Sequence, residues 1–434
     1  MLRLSITVLL VFGWQSLPLV ALGENWPGWR GPRGDGTSQD KNVPTKWNAT
    51  TGGNLAWKVQ LPGSGRASPI VWNDRIFIVA CVEESQERIL LSLDSSSGHT
   101  VWRRIVFRAP LESKHALNSF ASSTPATDGR LVFVSFLEVD GHTIPAPNVG
   151  TPRPITPGRM VVAAYDFDGD RKWIVKPGEF ISAHGYCSSP VLYKDLVIVN
   201  GDHDGDGYIV ALDKSTGETV WKVARDNKTR SYVTPIIRQI DGRTQMVFSG
   251  DKCIVSLDPS NGSRHWTIDG PTEQFVASMV FDDKLLFMSA GFPTYHVMGI
   301  RPDGHGNVTD THIAWHATNA RCYVPSPVVA GEYLLVADDR GTANCFAAAT
   351  GKRLWQERLG SQFNASLVTA EGLVYFVADD GVAKVVRPGP KLEVVAENPL
   401  GENCASSPAI ATGHIYLRGE KHLFCIGADG STPR

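Results

Sequence analysis

A turn of one design recurs along the chain, and it limits the fold more than any other feature. "SLDSSSGHTVW", "ALDKSTGETVW", "SLDPSNGSRHW" and "AAATGKRLW" each place Gly four residues before Trp, at Gly98/Trp102, Gly217/Trp221, Gly262/Trp266 and Gly351/Trp355. Looser copies end at Trp173 and Trp315. A second element, small-Ser-Pro leading into alternating apolar residues, returns as "ASPIVW", "SSPVLY", "PSPVVA" and "SSPAIA". Between the two lie β-rich runs such as "RIFIV", "LVIVN" and "YLLVA". One unit therefore reads strand–turn–strand–loop–strand–turn–strand over ~40–45 residues, which is the length of a propeller blade.

Eight such units begin near Ala67, Ser122, Ser188, Tyr232, Ala277, Pro325, Ala365 and Ala405. The last runs out after three strands. "TGGNLAWKVQ", with Gly53 four residues before Trp57, supplies a fourth from the other end of the chain. The expected fold is all-β: an eight-bladed propeller of four-stranded antiparallel blades over residues 54–434, its ring closed by this N-terminal strand in the last blade. Closure of that kind removes two unpaired sheet edges. Residues 24–53 form an extension laid on the ring by Trp26, Trp29 and Trp47.

Residues 1–23 have the make-up of an export signal: Arg3, the apolar "LSITVLLVFGW", and "ALG" before a cut. The apolar run is too short to span a bilayer, so no membrane span is expected after cleavage, and the destination is periplasmic or secreted. Charge narrows the partners. Lys plus Arg number 42 against 44 Asp plus Glu, which argues against nucleic acid. Seven cysteines form no CxxC, so zinc-ribbon and haem-attachment patterns are absent; they read as small buried hydrophobes with at least one thiol free. No GxSxG, HExxH or phosphate loop occurs.

The turns, the eight-fold count and the Ser-Pro strands resemble the PQQ-like (quinoprotein-type) β-propeller repeat, over nearly all of residues 54–430. The resemblance implies that the repeat tryptophans dock neighbouring blades, here Trp57, Trp102, Trp173, Trp221, Trp266, Trp315 and Trp355. Blade 7, "KLEVVAEN", has no such Trp, so its joint should be weaker or differently packed. The resemblance has two branches. Dehydrogenases bind PQQ and calcium in the central funnel, with a catalytic Asp, Glu and Asn metal ligands, a Trp floor and often a disulfide between adjacent cysteines. This chain has no adjacent cysteines and no Asp/Glu pair on the expected rim. The other branch is the non-enzymatic propeller of the outer-membrane barrel-assembly machinery.

Residues just before the inner strands should rim the channel on one face. Arg66, His115, Asn118, His184, Tyr186, Arg230, Tyr232, Arg321, Tyr323, Asn364 and Asn403 are the candidate ligand-binding set. Polar tips and rings converging on a concave mouth suit a polar small molecule, a glycan or a peptide. On the same face, "GDHDGDGYIVALD" mimics a calcium loop. Its Asp213 lies about 17 Å along a strand at ~3.3 Å per residue, so the EF-hand reading fails. Asp202, Asp204 and Asp206 remain a candidate cation set, against the plainer reading of a polar hairpin turn. The sequence thus predicts an exported, non-catalytic scaffold for envelope proteins, without a cofactor. Its alternatives are a PQQ- and calcium-dependent alcohol or sugar dehydrogenase and a carbohydrate-binding protein.

Overall fold

The computed structural model describes residues 23–427; the expected export signal lies, but for Gly23, outside them. Eight small antiparallel sheets stand in a ring, and no residue among those described is helical. Blade 1 runs Ile70–Trp72, Arg75–Val82, Glu87–Asp94 and Thr100–Arg108 from channel to rim. Blades 2 to 7 repeat the order, with inner strands at Ala126–Thr127, Val191–Tyr193, Ile236–Ile240, Val280–Phe281, Val328–Ala330 and Val368–Ala370. Blade 8 consists of Ala409–Ala411, His414–Arg418, His422–Ile426 and, outermost, Leu55–Gln60. That outer strand is antiparallel to its neighbour, with Trp57 opposite Cys425 and Lys58 opposite Phe424.

The burial pattern explains why these segments are strands. Second and third strands, such as Arg75–Val82 and Glu87–Asp94, are buried along nearly their whole length because both faces meet adjacent blades. Outer strands alternate, as Thr219–Ala224 does, because one face meets water.

The repeat tryptophans stitch blade to blade. Each donates its indole N–H to a carbonyl in the outer turn of the next blade. Trp57 reaches Ser95, Trp102 reaches Phe167 and Trp173 reaches Lys214 at 2.7–3.0 Å. Trp221 reaches Pro259, Trp266 Pro302, Trp315 Ala348 and Trp355 Gly389 at 2.8–3.2 Å. The repeat glycine has a matching cause. At Gly217 φ is +77°, and a Cβ would lie 2.7 Å from the Trp173 ring. Trp and Gly thus recur together because they are two halves of one joint.

Blade 7 has no Trp to offer blade 8, and the extension fills that joint. Trp47 is buried and stacks on Tyr375 of blade 7 at 6.5 Å. Its backbone N–H donates to Asn398 Oδ1 (2.9 Å), while Asn398 Nδ2 donates to Thr45 O (3.0 Å). Its apolar cluster includes Ile415 and Tyr416 of blade 8.

All seven cysteines are free thiols, five buried and two half-buried. Among the described residues no helix is long and apolar enough to cross a membrane.

Candidate functional site

The Ser-Pro element does more than start a strand. Its hydroxyl residues line the inner wall, and from Thr124 to Ser407 each accepts a hydrogen bond from the backbone N–H of the blade before. Ser68 N–H donates to Thr124, Thr124 to Ser189, Ser189 to Thr234 and Thr234 to Ser278, at 2.9–3.4 Å. Ser278 then donates to Ser326, Ser326 to Ser366 and Ser366 to Ser407, each at 2.9 Å. The recurring hydroxyl is therefore a belt around the axis, built across chain separations that no local pattern displays.

Below the belt the extension crosses the inner-strand ends. Trp26 pairs with Val71, and Thr127 N–H donates to Pro27 O. Arg30, fully buried, donates to the carbonyls of Pro327 and Leu367, and Ser38 N–H donates to Thr369 O. The Arg33-Gly34-Asp35 tripeptide lies in this strap with both charges paired, Arg33 to Glu24 and Asp35 to Arg238. Trp29 donates its indole N–H to Ser278 Oγ (3.1 Å) and lines the chamber that results.

That chamber has a volume of about 160 Å³. Seven predicted rim residues line it: Arg66, His115, Asn118, His184, Tyr232, Tyr323 and Asn364. Four do not. Tyr186 turns into the core between blades, its hydroxyl donating to Ser135 Oγ (3.0 Å) and its ring against Phe180. Arg230 is held by Asp204 through two bonds of 2.7 and 2.8 Å. Arg321 is exposed beside Tyr295, and exposed Asn403 lies beside Glu420. Short loops lack strand alternation, so the sequence could not show which way these side chains turn. Trp29, Cys187 and the belt hydroxyls were missed as lining. The recurring Ser was the signal that could have found the belt.

The lining is electropositive and its histidines are neutral. Burial first, then Arg230, His115 and Arg153, push His184 down to about 3. Burial and the Arg153, Lys114 and Arg66 charges lower His115 too. The two rings meet at 5.1 Å, and His184 stacks on Tyr232 at 6.0 Å. Burial raises Cys187 and Tyr323 to about 12, so neither offers a nucleophile or base near neutrality. Arg66 Nη1 and Asn364 Oδ1 are buried without a partner.

The acidic loop disperses its carboxylates instead of gathering them. Asp202 takes Arg225 Nε (2.8 Å) and Ser231 Oγ (2.8 Å), Asp204 takes Arg230, and solvent-exposed Asp206 takes Lys228 (2.7 Å). No cluster of three or more His, Cys, Asp or Glu able to hold a metal occurs among the described residues. The Pro-rich insertion of residues 138–159 joins the same network: Arg230 donates to Asn148 O and Asn148 Nδ2 to Lys228 O.

Does a quinone with calcium fit? No carboxylate lines the chamber, so neither a calcium ligand set nor a carboxylate base is present. Its volume also falls below the ~300 Å³ at which drug-sized sites begin, whereas the cofactor is a fused three-ring quinone. The residues do not fit the group.

Fold and site together define an eight-bladed propeller with a strapped central chamber. The family model described as "Outer membrane protein assembly factor BamB" matches residues 37–141, 122–290 and 307–387, and the chain belongs to this PQQ-like family. No curated protein matches it. Among solved structures it is similar to BamB from Moraxella catarrhalis, at 14% identity and a TM-score of 0.59, covering 86% of this chain and 98% of that one. It is similar also to a europium-containing methanol dehydrogenase, at 13% identity and a TM-score of 0.59, covering 91% and 89%. The quinohemoprotein alcohol dehydrogenase from Comamonas testosteroni stands at 13% and 0.53, covering 94% and 82%. Identities this low show the shared fold alone.

Proposed function

We propose that the protein is an exported, non-catalytic propeller that acts as a binding scaffold in the cell envelope. The observation that carries this reading is the chamber lining: hydroxyls, amides, neutral imidazoles and one arginine, with no carboxylate to abstract a proton or hold a cation. A site of that make-up can bind and orient a polar group. It has no carboxylate pair, and its two contacting imidazoles, His115 and His184, are held neutral by burial and neighbouring cations, so neither supplies a proton near neutrality. The family's description as an assembly factor supports envelope proteins as partners, met through the loops around the rim. A quinone-dependent dehydrogenase is the opposing reading, the activity named for two proteins that share its fold. Titration of the purified protein with PQQ and calcium separates the two. The scaffold reading expects no spectral change and no alcohol-dependent dye reduction; turnover of the dye would overthrow it.

A further inference from the structure

The belt leaves a set of protons with nowhere to go. Ser189, Thr234, Ser278, Ser326, Ser366 and Ser407 all line the chamber, and each has an oxygen lone pair taken by a neighbouring amide N–H. Ser278 takes the Trp29 indole N–H as well. A hydroxyl has a single proton to give, and none of these six meets an acceptor among the described residues. The amides thus fix the oxygens and leave each hydroxyl of the collar an O–H proton free to donate around one space. Above it stands Arg66, whose Nη1 is buried and unpaired. The two acids whose charges reach Arg66, Asp379 and Glu420, do not line the chamber, and Asp379 is engaged by the Asn364 amide. A donor ring with an unpaired guanidinium and no lining carboxylate is built for an anion.

Two further features narrow the ligand. Asn364 Oδ1 is an unpartnered buried acceptor on the same wall, which calls for a ligand that also donates. The chamber, about 160 Å³, is of a size that suits a ligand of roughly monosaccharide scale. Trp29, Tyr232 and Tyr323 add ring surface for C–H groups. We propose that the chamber binds a sugar acid, its carboxylate on Arg66 and the hydroxyl collar, one of its own hydroxyls on Asn364 Oδ1. This inference rests on the binding reading given above and names its ligand class.

Calorimetric titration of the full chain with D-glucuronate and, separately, with D-glucose tests it at low ionic strength. Glucuronate should saturate at one per chain and glucose should bind about tenfold or more weakly, as loss of a charge-assisted bond requires. Arg66→Gln removes no side-chain hydrogen bond seen in the fold, so it should melt like the parent. It should lose glucuronate affinity by a similar factor while leaving glucose unchanged. Equal affinity for both sugars, no heat with glucuronate, or an unaffected Arg66→Gln would each overturn the proposal. Dye reduction would sink the scaffold reading, whereas a protein that neither reduces dye nor takes up glucuronate sinks this one alone.

Discussion

Substituting Gly217 by Ala puts the joint between blades to a quantitative test. Two costs are expected. The φ of +77° is left-handed, where a Cβ costs ~1–2 kcal/mol. That Cβ would also stand 2.7 Å from Trp173, closer than van der Waals contact allows, and overpacking of this kind costs ~1–3 kcal/mol. Gly217→Ala should therefore lose ~2–5 kcal/mol in urea unfolding followed by tryptophan fluorescence and circular dichroism. In a Trp173→Ala background the ring is gone, leaving the backbone term and a 3.1 Å approach to Val175 Cγ1 that a small shift of that side chain relieves. The second substitution should then cost ~1–2 kcal/mol, leaving a coupling of ~1–3 kcal/mol between the two sites. Trp173→Ala alone should cost ~3–5 kcal/mol, since it removes both a buried ring and its bond to Lys214 O. Gly217→Ala costing the same in both backgrounds, within ~0.5 kcal/mol, would show that the glycine serves its own turn and not the neighbouring Trp.

Other expectations follow from single contacts. Asp202→Asn strips the buried Arg225 of its carboxylate partner, leaving the Gly250 carbonyl, and should cost ~3–5 kcal/mol by the same unfolding assay; calcium should leave the melting temperature of the parent protein unchanged. Stabilisation by calcium would restore the acidic loop as a cation site. Trp47→Ala should destabilise by ~3–5 kcal/mol although it lies outside the repeats, because it packs the joint at blade 7; a change below ~1 kcal/mol would refute that role. His184, pushed down to about 3 by burial and the Arg230, His115 and Arg153 charges, should keep the neutral position of its Cε1–H resonance as pH falls from 7 to 4. Its depressed value means that the unfolded chain takes up the proton first. His184 therefore supports folding above pH ~6.5, and that support is lost as pH falls from there toward 3. A midpoint near 6 in the titration would contradict the buried, cation-flanked setting.

How far the sequence shows its fold depends on whether a residue's task repeats. The Gly-to-Trp spacing recurs because every joint from blade to blade needs the same pair, so counting turns suffices to count blades. The belt hydroxyl recurs for an equally regular reason, yet its meaning is hidden. Ser189 and Thr234 look like ordinary strand starts until the ring brings one beside the other. Tasks performed once are less legible still. Trp29 meets Ser278 across a separation of 249 residues, and nothing local to either residue announces that the extension floors a chamber. Arg230 and Asp204 each looked like a binding group when read alone; together they cancel. The cancellation also sharpens the site, because it removes one rim cation by pairing and leaves Arg66 as the arginine that lines the chamber with an unpaired guanidinium nitrogen. Specificity in this ring is therefore set less by which polar residues the loops carry than by which of them the neighbouring blade leaves unsatisfied.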